Sequence, residues 1–340
     1  MDKPTESHES RYCAVITGHG SYTPAGILTN EDLARMVDTS DEWINTRTGI
    51  KRRHICTDRE STAHLATESA KKALAMSGLT PEQLDLIIVA TITPEMVFPS
   101  TACFVQQNLG ASRAFAFDLM AACSGFIYGV SIANQYLQTG RLKNALVIGA
   151  ETLTKITNYK DRTSCILFGD ASGAVVLEAR PREKGVQKGV IYSTMYSDGS
   201  SWLSLNCQAY GSRHPVSRPL ESPNMVFMEI HGREVYQQAV RRIVETVTEC
   251  LEKCRLTLDD VKMIISHQMN ARIIESAAKR LGLTPEKYFI NIQEYGNTSA
   301  ASVPLAFDQA IREGRIIRGD IVILVAFGAG LTWGANVIRF

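Results

Sequence analysis

The sequence predicts an α/β protein made of two similar halves, and three observations carry that prediction. Apolar runs too continuous for half-exposed strands, LDLIIVATIT and NALVIGAE, alternate with helical patterns, as in sheets covered on both faces. Blocks also recur. GRLKNALVIGAE begins at Gly140 and GRIIRGDIVILVAFGAG at Gly314, 174 positions apart, and CSGFIYGV at Cys123 and NTSAASVP at Asn297 keep the same separation. LTPEQLDLIIVA and LTLDDVKMIISH lie 177 apart, which sets Ala90 opposite His267. Three blocks at nearly one spacing read as a duplication, with halves 1–180 and 181–340. Finally, LMAACSGFIYGVSIANQYLQ places Cys123 among small residues at the start of a helix apolar on nearly every side, hence buried.

In chain order, CAVITGHGSY reads as a strand entering a glycine turn, and Thr29 or Asn30 caps a helix. A second helix is expected from Thr39, with Glu42 at the capping-box position. It carries Trp43 and Arg47 at i and i+4 on one face. Thr62 to Met76 is an amphipathic helix closed by Gly78, and Thr80-Pro81 is an N-cap followed by proline at N1. Ser100 caps a helix ending at Gly110, AFAFDL is a strand leading to Cys123, and the cysteine helix ends at Gly140. Largely parallel pairing is expected. The Ser-, Gly-, Pro- and Tyr-rich stretch 196–224 is a long functional loop, followed by a helix near Gly232 to Cys254.

Composition removes several classes of function. Lys plus Arg number 36 against 35 Asp plus Glu, so no global charge points to nucleic acid or an anionic membrane. The eight cysteines form no CxxC pair; Cys250 and Cys254, the nearest two, sit one helical turn apart. MDKPTESHES has no apolar core of a signal, and no run reaches the roughly 18 apolar residues of a membrane span. A reducing, cytoplasmic setting is expected.

Cys123 has two readings from its own stretch: inert packing, or a nucleophile whose pKa falls below roughly 8.5 because free N–H groups and the helix dipole face it. The duplication favours the second. Matched helix starts near a pseudo-twofold bring Cys123 toward Asn297, with His267 arriving from the strand end of the second half. In isolation His267 reads as a satisfied core histidine and Asn297 as a helix cap.

ACSGF, HQMNARI, YGNTSAASVP and FGAGLTWG, in that order, together with TSDEWINTRTGIKRRHI, FPSTACFVQQNLG and DRTSCILFGDASGA, resemble the β-ketoacyl-[acyl carrier protein] synthase III family of the thiolase superfamily. The resemblance runs from about Val15 to Phe340. It implies a five-layer αβαβα thiolase-like fold, a homodimer, and Cys123, His267 and Asn297 as the catalytic set. It implies acyl transfer from coenzyme A to Cys123, then attack by the enolate of malonyl-[acyl carrier protein] after loss of carbon dioxide. That reaction initiates fatty-acid synthesis with no permanently bound cofactor and no metal. The backbone N–H groups of Cys123 and Ala329 are implied as the oxyanion hole. Thr39, Trp43, Arg47, Arg162, Gly232, Asn270 and Ile273 are implied as coenzyme A contacts, with Trp43 and Arg162 on opposite sides of the adenine. Phe98 is implied to reach an acyl pocket beside Leu153 and Phe327 of the partner subunit. Ser266 and Met269 depart from the family's usual Pro and Ala around the histidine, which bears on acyl and carrier preference. On the helix after His267, Arg272, Lys279 and Arg280 fall at spacings of seven and eight, hence on one face, where an acidic carrier protein would dock.

Other readings stand beside this one. A secondary-metabolism relative would use the same constellation on unusual acyl groups. A Cys/His/Asn hydrolase fits the residue order but lacks a CGSCW-like context, and a non-catalytic acyl-binding partner would have no need of all three polar residues.

Overall fold

The computed structural model describes residues 10–183 and 185–340; the polar start of the chain lies outside them. The first sheet collects β1 (Tyr12–Tyr22), β4 (Leu86–Ala90), β5 (Phe115–Leu119), β6 (Asn144–Thr152) and β7 (Asp170–Pro181) in the order β1-β7-β6-β4-β5. Between β1 and β4 come β2 (Gly26–Thr29), α1 (Asn30–Ala34), α2 (Asp41–Thr48), β3 (Arg52–Ile55) and α3 (Thr62–Ser77). Helices α4 (Thr101–Leu109) and α5 (Gly125–Gln138) follow β4 and β5. The second sheet has the order β11-β12-β13-β8, from β8 (Gly189–Ser197), β11 (Met263–Ser266), β12 (Ile321–Gly328) and β13 (Thr332–Arg339). A small ribbon of β9 (Leu205–Asn206) and β10 (Glu229–Ile230) precedes α6 (Gly232–Cys254), and α7 (Ala271–Leu281), α8 (Ile292–Tyr295) and α9 (Ser302–Arg312) complete the chain.

The two sheets repeat one topology. In the first, β1 and β6 both flank β7 antiparallel, and β4 pairs parallel with β6 and β5. In the second, β8 and β12 flank β13 antiparallel, β11 pairs parallel with β12, and a single parallel bridge from Ile264 to Tyr288 marks the place of the fifth strand. Pairing is therefore mixed rather than largely parallel. Each half closes on an antiparallel return strand that needs no crossover helix.

The repeat distance is sharper in the fold than in the sequence. Leu86 and Met263 open equivalent strands, Gly125 and Ser302 equivalent helices, and Asn144 and Ile321 equivalent strands, each pair 177 positions apart. The spacing of 174 holds only at the turn glycines Gly140 and Gly314, because α5 is three residues longer than α9 and the connection after it three shorter. The structural counterpart of Cys123 is thus Ala300, and Asn297 lies three residues earlier.

Strand alternation explains the continuous apolar runs. Leu86, Ile88, Ala145 and Val147 point to a central cluster with α5 and α9, whereas Ile87, Val89, Leu146 and Ile148 face α3 and α4. In β12, Val322, Leu324 and Ala326 join the central cluster while Ile323, Val325 and Phe327 face α6 and α7. The layers are therefore helix, sheet, helix pair, sheet, helix. Phe126, Ile127, Val130, Ala133 and Leu137 are fully buried, as the all-round apolar pattern of α5 requires.

Some local expectations shift. Ser40, not Thr39, is the N-cap of α2, its hydroxyl accepting the Trp43 N–H, so Glu42 falls one place short of the capping-box position. Thr80-Pro81 opens only a 3₁₀ turn, Pro81–Gln83. The 196–224 stretch carries a 3₁₀ segment, Gly199–Ser204, and donates β9 to the ribbon with β10.

Candidate active site

The chain enters α5 through a 3₁₀ turn, Ala122–Ser124, so Cys123 lies just before the helix rather than at its first residue. Ala122 adopts a left-handed φ of 45°, and its counterpart Ser299 opens the matching turn, Ser299–Ala301, at 47°. These matched turns meet across the pseudo-twofold. Strain in both marks positions held by their surroundings.

The short segment 297–302 carries Asn297, bonds His267 and packs against the turn of Cys123. The Oδ1 of Asn297 accepts the N–H of Ser299 at 2.9 Å, and no described residue accepts from its Nδ2. The Ser299 hydroxyl donates to the Glu151 carboxylate at 3.1 Å, and the turn it opens packs against the turn of Cys123. The Ser302 hydroxyl lies 2.5 Å from the Nδ1 of His267 and accepts the Gln268 N–H at 3.4 Å. The Ser302 hydroxyl has a proton to give to Nδ1, and the tautomer that accepts it carries the imidazole proton on Nε2. That Nε2 is buried with no partner among the described residues.

Burial sets the electrostatics. It holds His267 neutral, with its pKa pushed down to about 3. It also overturns the expected activation of the thiol. The Cys123 pKa is pushed up to about 12 by desolvation, with the Glu151 carboxylate adding to the rise, while the nearby Ser299 hydroxyl and the cysteine's own N–H lower it only in part. Cys123 is 6 % exposed, which removes the water that would solvate a thiolate. The resting thiol is protonated.

A third approach comes from β12. A β-carbon on Gly328 would lie 2.7 Å from the Cys123 nitrogen, so only glycine lets the strand end come this close. Ala329 follows it directly. The Thr332 hydroxyl lies 2.9 Å from the Ala121 carbonyl and 3.0 Å from that of Ala329, and the Ser124 hydroxyl donates to the Thr332 carbonyl at 3.0 Å. These bonds tie the Ala329 turn to the cysteine turn.

At the other expected contacts, the guanidinium carbons of Arg47 and Arg162 stand 4.3 and 5.6 Å from the centre of the Trp43 ring. A ring inserted between Trp43 and Arg162 needs about 7 Å, two van der Waals layers, so Arg162 must swing outward to admit one. The Thr39 hydroxyl is buried with no hydrogen-bond partner among the described residues. Asn270 caps α7 through the Arg272 N–H and donates to the Arg47 carbonyl, joining α2 to α7. Ile273 is buried, and Gly232 begins α6 in a cleft shared with His231, Glu234 and Gln237. Arg272, Lys279 and Arg280 are all exposed along α7. Phe98 is 82 % exposed, while Leu153 and Phe327 are buried in separate clusters. Within one chain, therefore, Phe98 does not meet the other two. Met269 packs into the cluster beneath α6, and Ser266 is buried. Among the described residues no group of three His, Cys, Asp or Glu side chains is placed to hold a metal ion. No helix among them is long and apolar enough to cross a membrane.

Sequence reasoning missed Glu151, Ser299, Ser302, Gly328 and Thr332. The serines were visible within NTSAAS, but nothing in the pattern says which hydroxyl reaches which partner.

Strand ends converging from two duplicated sheets define a thiolase-like fold. Family models described as 3-oxoacyl-[acyl-carrier-protein] synthase III and its C-terminal part match residues 117–199 and 251–340. The beta-ketoacyl-[acyl-carrier-protein] synthase III of Caldanaerobacter subterraneus is 53 % identical over 97 % of this chain and 98 % of its own. The solved 3-oxoacyl-[acyl-carrier-protein] synthase III of Aquifex aeolicus superposes with a TM-score of 0.87 at 46 % identity, covering 96 % of this chain and 100 % of that one. The priming β-ketosynthase of the R1128 polyketide pathway gives 0.88 at 31 % identity over 99 % of both chains. The chain belongs to the 3-oxoacyl-[acyl-carrier-protein] synthase III family, and it is an acyltransferase.

Proposed function

We propose that this enzyme condenses an acyl-coenzyme A primer with malonyl-[acyl carrier protein], through an acyl-Cys123 intermediate, to start fatty-acid synthesis. The observation that carries this reading is the segment 297–302, which bears a free carboxamide, bonds a neutral imidazole and packs against the turn of the thiol. Departure of carbon dioxide leaves its electrons on the thioester, so the second step needs no base; it needs donors for the enolate oxygen. The Nε2–H of His267 and the Nδ2 of Asn297 have the right chemistry, and neutrality of the imidazole lets it donate without titrating. The N–H groups of Cys123 and Ala329 would receive the oxyanion formed at the acyl carbon. The cysteine carries the acyl group itself, so no resident cofactor is called for.

Coenzyme A would enter along Thr39, Trp43, Arg47, Arg162, Gly232, Asn270 and Ile273, and the carrier would dock on Arg272, Lys279 and Arg280. The units 1–180 and 181–340 are the duplicated halves. A homodimer is supported by the open edge of β5 and by Met96, Val97, Phe98 and Met120, apolar and exposed in the single chain. Phe98 would then complete the partner's acyl pocket beside Leu153 and Phe327. A cytoplasmic setting suits both substrates. Likeness to the R1128 ketosynthase keeps a secondary-metabolism primer as the second reading.

Intact mass after exposure to a panel of acyl-coenzyme A thioesters tests the first step and identifies the primer. Cys123→Ala must take up no acyl group. His267→Ala and Asn297→Ala must acylate yet release no carbon dioxide from malonyl-carrier. Normal condensation by either variant overturns its assigned role.

A further inference from the structure

One buried carboxylate has no part in the chemistry described so far. Glu151, at the end of β6, is fully buried. Its Oε2 accepts from the Thr93 hydroxyl at 2.6 Å, the Thr91 hydroxyl at 3.1 Å and the Ile92 N–H at 3.2 Å. Its Oε1 accepts from the Ser299 hydroxyl at 3.1 Å. A carboxylate in a core is costly unless donors are arranged to keep it, and these come from two segments far apart in the chain, the loop after β4 and the turn after Asn297. Glu151 bridges them.

The two ends of the bridge differ in firmness. Residues 91–93 are fixed by bonds of their own: the Thr93 N–H donates to the Thr91 hydroxyl at 3.0 Å, the Thr152 N–H to the Thr93 hydroxyl at 2.9 Å, and the Thr62 hydroxyl at the start of α3 to the Thr93 carbonyl at 2.5 Å. Ser299, by contrast, holds a left-handed φ of 47°, which a non-glycine residue keeps only where its surroundings impose it. Its hydroxyl is bound by Glu151, and its N–H is the donor that the Oδ1 of Asn297 accepts at 2.9 Å. The backbone of Asn297 is secured separately, its N–H on the Leu167 carbonyl at 2.8 Å and its carbonyl on the Gly169 N–H at 3.1 Å. Ser299 therefore governs the rotation of the carboxamide and not the placement of the residue. By the 177-residue repeat Ala122 is the counterpart of Ser299, and Gly328 that of Glu151. The fold has a glycine where a strand end must close on the cysteine turn, and a carboxylate where the turn beside Asn297 has to be braced.

Resting on the acyl-Cys123 condensation reading, we infer that Glu151 and Ser299 are positioning residues for the Asn297 carboxamide: Glu151 braces the Ser299 turn against the firm 91–93 loop, and the Ser299 N–H holds Oδ1 so that Nδ2 stays free to donate to the enolate oxygen. Neither residue touches the reacting atoms, and neither moves a proton. The effect falls on the decarboxylating step, because acyl transfer to Cys123 relies on the N–H groups of Cys123 and Ala329 and not on the carboxamide. Geometry rather than charge is what the bridge supplies. A glutamine amide can replace it: the amide oxygen in the place of Oε2 takes the same three donors, and the amide nitrogen in the place of Oε1 donates to the Ser299 hydroxyl, which turns to accept.

The test is carbon dioxide release from malonyl-carrier by enzyme already acylated to completion, so that the speed of the first step does not enter, with acylation followed by intact mass. Ser299→Ala removes one hydroxyl and should lower kcat for release about tenfold at an unchanged KM, the pattern of a group that matters only in the transition state. Glu151→Ala should lose at least as much, and the double variant should be no slower than Glu151→Ala, since the two residues act as one unit. Glu151→Gln should stay within about threefold of wild type. Normal release by Ser299→Ala overturns the inference, and this variant decides alone if Glu151→Ala does not fold. A Glu151→Gln enzyme as slow as Glu151→Ala overturns it as well, because charge would then be what counts, and so does a loss of acylation equal to the loss of release, the mark of a damaged fold. Wild type that takes up no acyl group at Cys123 sinks the parent reading instead, which keeps the two failures apart.

Discussion

Replacing Gly328 by alanine should disable acylation through one methyl group. The added β-carbon would sit 2.7 Å from the Cys123 amide nitrogen and 3.1 Å from its β-carbon, against the 3.4 Å at which ordinary contact begins. The cysteine backbone would have to recede by about 0.7 Å to reach that limit. It has little room, because Cys123 belongs to a buried turn closed by the Ser124 N–H on the Ala121 carbonyl at 3.1 Å. Gly328 does not have a left-handed φ, so the effect comes from close approach alone and not from backbone conformation. Overpacking of this kind costs about 1–3 kcal/mol of stability. The larger consequence is catalytic. A displacement approaching 1 Å moves the Cys123 N–H relative to that of Ala329, and misplacement on this scale costs on the order of 100-fold in rate. Single-turnover acylation and thermal unfolding should be measured on the same preparation: Gly328→Ala should unfold at a temperature a few degrees lower and acylate on the order of 100-fold more slowly. A variant that melts as wild type and acylates within about twofold of it would refute the close-approach argument.

Three further outcomes are expected. Ser302→Ala removes the only hydroxyl bonded to His267 Nδ1 among the described residues, so, with Ser302 as the donor that keeps the imidazole proton on Nε2, carbon dioxide release from malonyl-carrier should fall roughly tenfold while acylation of Cys123 is unchanged; equal loss in both steps would point to general damage. Trp43→Ala should raise the KM for acyl-coenzyme A roughly tenfold with little change in kcat, since ring stacking is lost at a site remote from the thiol; the same titration with a short pantetheine thioester should show no such increase. Glu151 carries a pH signature in stability. Its folded pKa of about 7 lies above the unfolded value near 4.5, so the folded state binds the proton more tightly. The stability this supplies is complete below the unfolded pKa and is lost as pH rises through the folded one, roughly 2–3 kcal/mol between pH 5 and pH 8. Urea unfolding of wild type and Glu151→Gln at those two pH values should show the variant losing that much less.

Much of the layer structure was legible because it follows from burial alone. A strand covered on both faces must be apolar at every position, and LDLIIVA and NALVIGAE are; a helix between two sheets must be apolar all round, and the helix after Cys123 is. The duplication was visible as well, although with an offset of 174 in two of its three blocks. The first of those two marks a true correspondence of turn glycines, and it misled because α5 and α9 differ by three residues that the following connections return. A periodic pattern records which residues are buried, and is blind to a helix gaining what a loop gives up.

Chemistry at the seam was decided only by the tertiary structure. From the sequence, a thiol before a helix should ionise easily; in the fold it is buried, and desolvation with the Glu151 carboxylate raises its pKa. Neither the hydroxyls of Thr91, Thr93 and Ser299 around Glu151 nor the hydrogen bond between Ser302 and His267 could be read in advance. Their partners lie 148 and 35 positions away, and a hydroxyl in a run of small residues carries no mark of what it will touch. The sequence by itself determined the two similar halves and the buried layers, because composition and period alone specify burial, and it offered Cys123, His267 and Asn297 as candidates. Only the folded chain decided their protonation and orientation, because these depend on desolvation and on hydrogen bonds between segments far apart along the chain.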